Sequence, residues 1–170
     1  KVINSNMEVA DFYSSDLVVI PIEEYSYDEN ITASSSLLVN ITDNEFVFAD
    51  SIYQKMYPAS ITKIITALVV LEQANLDDTV IISKNASCIY EDGAKLCGFA
   101  EGDDIDLRSL LNIFLVYSGN DAGIALAEHV SGSEEEFAKE MNKTAKRLGA
   151  VHSNFVNSHG LHHDNHYTTA

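Results

Sequence analysis

Basic side chains are scarce in this chain: 10 Lys and Arg stand against 26 Asp and Glu, for a formal net charge of -16. A surface of that sign repels a phosphate backbone, so nucleic acid is excluded as an ordinary partner and the acidity reads as a solubility feature. Long apolar runs are missing too. Nowhere do about 18 consecutive apolar residues occur, as a membrane-spanning helix requires. The opening KVINSNMEVADF also lacks the apolar segment of a signal peptide. If the protein is exported, its signal is expected to have been removed. Cysteine is limited to Cys88 and Cys97, with no CxxC motif; the two could pair outside the cytoplasm or remain free thiols. There are no internal repeats and no low-complexity linker. What is present is 46% hydrophobic content in 170 residues, enough for one real core and short for two, so a single domain is expected.

Periodicity and turn chemistry assign the elements. Residues 1–33 are polar and irregular apart from an apolar run at 17–22. SSLLVNI and EFVFAD are β-prone runs separated by Thr42, Asp43 and Asn44, which predicts a hairpin over 34–49. A helix at 60–74 follows, with Ile61, Ile64, Ile65, Leu68 and Val69 expected as one buried stripe. The segment 77–105 holds short strand-like pieces among turn residues and is expected to wrap the surface as a long connection. DLRSLLNIFLVY reads as a largely buried helix, because its apolar residues cover more than one face. DAGIALAEHVSG reads as an Ala-rich, closely packed helix closed by Gly132. Ser133 and Glu136 form a capping box for the next helix, whose Phe137, Met141, Ala145 and Leu148 share a face and which Gly149 stops.

Residues 75–170 are thus expected to be mainly helical. A lone two-stranded ribbon is marginal in water, so the hairpin calls for further strands. Thr168, Thr169 and Ala170 read as a helix start that is not continued. Both features predict that 1–170 is a single, incomplete domain of the α/β (α+β) class, with a hairpin, a helix behind it and a helical cluster.

One helix carries a residue that its position disfavours. The stretch YPASITKIITALVVLEQA places Lys63 near a helix N-terminus, where about half a positive charge from unpaired amides opposes another cation. Ser60 lies three residues earlier on the same face, so the amine can reach the hydroxyl. Burial and the helix terminus both push Lys63 toward a neutral amine able to take the Ser60 proton. The Ser60 amide would stabilise an oxyanion. The plainer reading makes Ser60 an N-cap and turns Lys63 to solvent; with 17 Ser and 8 Lys in the chain, one such pair is expected by chance. Further along, the turn SGN exposes Ser118 and Asn120 on adjacent backbone between two helices, with Gly119 allowing the turn to be tight. The plainer reading there is a cap for the helix beginning near Asp121.

Taken in order, YPASITK, VYSGNDAGIALAEHVSGS, FAKEMNKTAKRLGAVHSNFVNSHGL and HYTTA resemble the serine D-alanyl-D-alanine carboxypeptidases, the low-molecular-mass penicillin-binding proteins. The match runs from about Ser34 to Ala170. The resemblance implies a β-lactamase/transpeptidase-like fold, an antiparallel sheet with a helical subdomain. It implies Ser60 as nucleophile, Lys63 as general base, Ser118 as proton relay and Asn120 as the amide that holds the substrate and orients Lys63. Ser60, Ser118 and Asn120 would also bind the substrate, a peptidoglycan pentapeptide ending in D-Ala-D-Ala, and β-lactam antibiotics would be trapped at Ser60. The resemblance implies an extracytoplasmic place in the bacterial envelope and no cofactor.

His159, His162, His163 and His166, with Asp164, could be read as metal ligands, but no supporting shell is visible in the sequence. The resemblance puts a cleft-lining loop there, without a metal. His129 reads as a helix-surface residue. The chain departs from the family in having no KTG-type third motif, since Lys143 and Thr144 are followed by Ala145 within a helix. The expectation is therefore an N-terminal part of a longer enzyme, with C-terminal strands missing and a second fragment as a candidate partner. Two alternatives stand beside the carboxypeptidase. A serine β-lactamase shares both motifs, but in the layout that the resemblance implies it uses a glutamate well after the SxN loop, and Asp164 is the sole acid after Glu140 here. A non-catalytic module binding cell-wall peptide is the other.

Overall fold

The computed structural model describes residues 31–43, 45–89 and 92–170. The run at 17–22 and Asn44 of the anticipated turn lie outside them. The first element is a hairpin of β1 (Ser36–Asn40) and β2 (Glu45–Asp50), antiparallel, with a register shift between Leu38 and Val39. Asn40 starts the turn, its side-chain oxygen accepting the amides of Thr42 (3.0 Å) and Asp43 (3.3 Å). A short 3-10 turn, Ala59–Ile61, then leads into α1 (Thr62–Gln73). β3 (Thr79–Ile81) pairs with β4 (Asp104–Asp106) in a second small antiparallel sheet. Three helices follow: α2 (Leu107–Val116), α3 (Asn120–Ser131) and α4 (Glu134–Arg147).

The helix α3 is the centre of the molecule. It packs against α1, α2 and α4 as well as β3, and each residue from Asn120 to Ala127 is buried. Small side chains permit that approach, as the sequence predicts. Gly123 is the tightest point, because a Cβ there would sit 2.8 Å from the Phe114 ring and 3.2 Å from the Ser158 hydroxyl. Gly132 closes α3 at φ 80° and Gly149 follows α4 at φ 86°, left-handed conformations that glycine adopts at least cost. The Ser133 hydroxyl caps α4 by accepting the Glu136 amide at 3.2 Å, while the Glu136 carboxylate turns to Lys139 at 2.6 Å instead of back to Ser133.

Four expectations are corrected. The buried face of α1 consists of Thr62, Lys63, Thr66, Ala67, Val69 and Val70, whereas Ile61 and Ile64 are 68% and 69% exposed. The neighbours of α1 include α2, α3, α4, the loop at 157–161 and His166, and they lie on the side of Thr62, Lys63 and Thr66. α2 is one-sided: Leu107, Leu110, Leu111 and Phe114 are buried, but Leu115, Val116 and Tyr117 are exposed, because α3 covers a single face. The connection at 77–105 does more than wrap the surface, since Val80, Ile82 and Ala86 are buried in the core. Thr168 does not begin a helix. Its backbone forms a bridge with Met56, with N–O distances of 2.8 and 2.9 Å, which ties the tail to the segment before the 3-10 turn.

Candidate active site

The 3-10 turn sets the direction of Ser60. Pro58 precedes it, Ala59 takes a left-handed φ of 48°, and no side-chain cap bond is made at the start of either the turn or α1. The Ser60 hydroxyl is therefore not spent on capping. It lies 3.3 Å from the Ser118 hydroxyl and 3.4 Å from Lys63 Nζ.

Lys63 is buried, with 4% of its surface exposed. Its side chain stays inside, with Nζ 5.4 Å from the centre of the Phe114 ring. Nζ donates to Asn120 Oδ1 at 3.0 Å and to the His159 carbonyl at 2.7 Å. Removal from water disfavours the ammonium form and lowers the Lys63 pKa from its ordinary 10.5 to about 8.

Ser118 and Asn120 reach the same place from the turn between α2 and α3. Ser118 itself takes the strained conformation, at φ 68°, whereas Gly119 has an ordinary φ of -64°. The glycine is needed for space instead: a Cβ at position 119 would run into Cys97 Sγ and approach Asp121 Oδ1 at 2.9 Å. Asn120 is the first residue of α3, and its amide nitrogen donates to the Lys95 carbonyl at 2.7 Å. Gly119 is the N-cap, so the Asn120 carboxamide is free to face Lys63 rather than cap the helix. Asp121, which the sequence reading left in the helix start, anchors the neighbouring loop by accepting the amides of Cys97 (2.7 Å) and Gly98 (2.9 Å). Cys97 and Cys88 are free thiols; burial and the adjacent Asp121 push the Cys97 thiol up to about 12.

The four predicted residues Ser60, Lys63, Ser118 and Asn120 thus form one cluster. Ser60, Ser118 and Asn120 line a cavity of about 260 Å³ together with Lys95, His159 and Gly160. Sequence reasoning missed the carbonyl of His159 and the carboxylate of Glu134 behind it, which lies 3.2 Å from His159 Nε2. The histidines serve separate contacts. His166 is buried between Thr62 Oγ1 (2.7 Å) and the Val156 amide (3.2 Å), and burial lowers its pKa to about 4. His162 rests edge-on against Tyr57. His129 is half-buried and lies 3.2 Å from Asp78. Among the described residues, no group of three or more His, Cys, Asp or Glu is arranged to hold a metal ion.

Comparison with known proteins gives the family and the fold. A family model described as D-alanyl-D-alanine carboxypeptidase matches residues 22–170. The D-alanyl-D-alanine carboxypeptidase DacF of Bacillus subtilis is 34% identical over 143 residues, which is 81% of this chain and 36% of DacF. The solved structure of penicillin-binding protein 5 from Haemophilus influenzae superposes with a TM-score of 0.76 at 32% identity, covering 85% of this chain and 43% of that one. Penicillin-binding protein D2 from Listeria monocytogenes, solved in its cefotaxime-bound form, has a TM-score of 0.68 at 25% identity over 81% of this chain and 57% of its own. The chain spans little more than a third of the length of the curated relative. Its mixed α/β fold is that of the penicillin-binding proteins. Since the family match takes in all of the described residues, Ser60, Lys63 and the turn that faces them included, the chain belongs to the D-alanyl-D-alanine carboxypeptidase family.

Proposed function

We propose that this chain carries the acylating centre of a serine D-Ala-D-Ala carboxypeptidase. Ser60 is the nucleophile, Lys63 the general base, Ser118 the proton relay, and Asn120 the amide that holds the substrate and orients Lys63. The observation that carries this reading is the arrangement about Lys63 Nζ. A neutral amine has two N–H bonds and one lone pair. Asn120 Oδ1 and the His159 carbonyl take the two N–H bonds. The lone pair is left for the Ser60 hydroxyl proton, at an N–O distance of 3.4 Å. A pKa near 8 suits a base that works close to neutral pH.

The chemistry follows from those roles. Ser60 Oγ attacks the carbonyl carbon of the D-Ala-D-Ala bond while its proton passes to Lys63. The Ser60 amide steadies the oxyanion. Collapse breaks the C–N bond, and the departing D-Ala amine takes its proton from Lys63 by way of Ser118, whose hydroxyl is 3.3 Å from that of Ser60. Water then hydrolyses the ester and frees Ser60 and the shortened peptide. The substrate is a peptidoglycan stem peptide, β-lactams are its mimics, and the site of action is the bacterial envelope outside the cytoplasm. Residues 1–170 act within one catalytic domain. No carboxylate lines the cavity among the described residues, and Asp164 is exposed beside His162.

The test is covalent labelling of the natural gene product that carries these residues. Benzylpenicillin should add one equivalent, mapped to Ser60 by peptide mass, and Ser60→Ala should abolish it. Labelling that survives Ser60→Ala would overturn the assignment.

A further inference from the structure

Behind the Lys63 site lies a carboxylate that the reaction as described does not use. Glu134 is the first residue of α4, and one of its oxygens, Oε1, accepts two hydrogen bonds from the loop at 157–161. The donors are the Ser158 amide (3.1 Å) and the Ser158 hydroxyl (2.9 Å), and His159 Nε2 lies 3.2 Å from the same oxygen. The Leu161 amide donates to His159 Nδ1 at 3.1 Å, which fixes the ring within the loop. Glu134 thus holds Ser158 through its amide and hydroxyl, with the His159 ring beside the same carboxylate.

The opposite edge of the same loop faces α1. The Ser158 carbonyl accepts the Thr66 hydroxyl at 2.7 Å, and the His159 carbonyl accepts Lys63 Nζ at 2.7 Å. Ser158 is fully buried and His159 is 5% exposed, so water cannot replace these bonds without opening the core. At Gly160, with φ 90°, a Cβ would collide with the Ala59 carbonyl, so the loop is also pressed against the turn that carries Ser60. One side of this loop is held by Glu134 and the other holds Lys63.

We propose that Glu134 is a positioning residue for the general base. By fixing Ser158 and His159 it sets the carbonyl that takes one Lys63 N–H, and so aims the Lys63 lone pair at Ser60. The inference rests on the reading of Lys63 as base. Aiming matters because proton transfer falls steeply with misalignment, and a displacement of about 1 Å can cost on the order of 100-fold in rate.

The experiment measures acylation of the natural gene product by a fluorescent penicillin in stopped flow. It separates the dissociation constant of the noncovalent complex from the acylation rate constant, and it counts the acylating fraction by burst stoichiometry. Glu134→Ala should lower the rate constant of the acylating fraction on the order of 10- to 100-fold, with the dissociation constant changed less than about 2-fold. Glu134→Gln should recover to within about 3-fold of the parent, because its amide oxygen still accepts the Ser158 amide and hydroxyl. A purely structural role would lower the acylating fraction and the melting temperature but leave the rate constant alone, and that result overturns the proposal. Should Glu134→Ala fail to fold, Ser158→Ala serves, since it deletes the hydroxyl donor and should lower the rate constant by about 3-fold; an unchanged rate constant there is equally fatal. Lys63→Arg is the control for the underlying reading. Normal acylation in that variant removes Lys63 as base whatever Glu134 does, whereas slow Lys63→Arg with normal Glu134→Ala refutes the positioning role alone.

Discussion

Asn120→Asp is nearly isosteric and places a negative charge where Asn120 Oδ1 now stands, 3.0 Å from Lys63 Nζ. An opposite charge at such a distance in a buried site raises a lysine pKa by about 1–3 units. Lys63 begins at about 8, so roughly a quarter of it is neutral at about pH 7.5 by the ordinary titration relation. Raising the pKa by that amount cuts the neutral fraction roughly 10- to 1,000-fold, and the acylation rate constant at saturating penicillin should fall with it. The rising limb of the pH–rate profile should move up by the same amount, so that activity returns as the buffer approaches about pH 10. Asn120→Ala is the companion variant. It removes the acceptor without adding charge, and its limb should stay at or below that of the parent. The assay is stopped-flow acylation of the natural gene product between about pH 6 and 10.5, a range set by the two pKa values. A folded Asn120→Asp protein whose limb coincides with the parent's would refute the assignment of that limb to Lys63.

Two further outcomes are expected of the fold. Gly123→Ala should destabilise the protein by about 1–3 kcal/mol, read as a lower unfolding midpoint, since the added methyl would meet Phe114 at 2.8 Å with Ser158 and His159 close behind; an unchanged midpoint would show that α3 can shift freely. His166 should weaken the protein in mild acid. Its folded pKa is lowered from 6.5 to about 4 by burial, so as pH falls from about 6.5 to 4 the unfolded chain takes up a proton that the folded chain refuses. This group's contribution, about 3 kcal/mol, is present above that window and is lost through it. Thermal unfolding followed against pH should show a shallower acid slope in His166→Gln than in the parent, and equal slopes would remove His166 as the cause.

Local rules were readable along the chain. Gly132 and Gly149 end their helices because the left-handed conformation needed there depends on one residue, and Ser133 caps α4 because a hydroxyl and an amide three residues on always lie within reach. The Ser60–Lys63 spacing likewise requires only helical geometry, whereas Asn120, expected on an exposed turn, is buried as the first residue of α3. The tertiary structure decided what local periodicity leaves open. The apolar stripe of α1 points outward at Ile61 and Ile64 while Thr62, Lys63 and Thr66 face the core, because burial depends on which elements cross the helix and not on its own pattern. Lys63 is held by Asn120, 57 residues away, and by the carbonyl of His159, 96 residues away. A backbone carbonyl belongs to every residue and leaves no mark in the sequence. Gly119 is required by the approach of Cys97, a contact that exists only once the loop carrying Cys97 is anchored on Asp121. The residue types for a serine–lysine centre were therefore written locally, whereas the direction of the lysine lone pair was set by packing among distant segments.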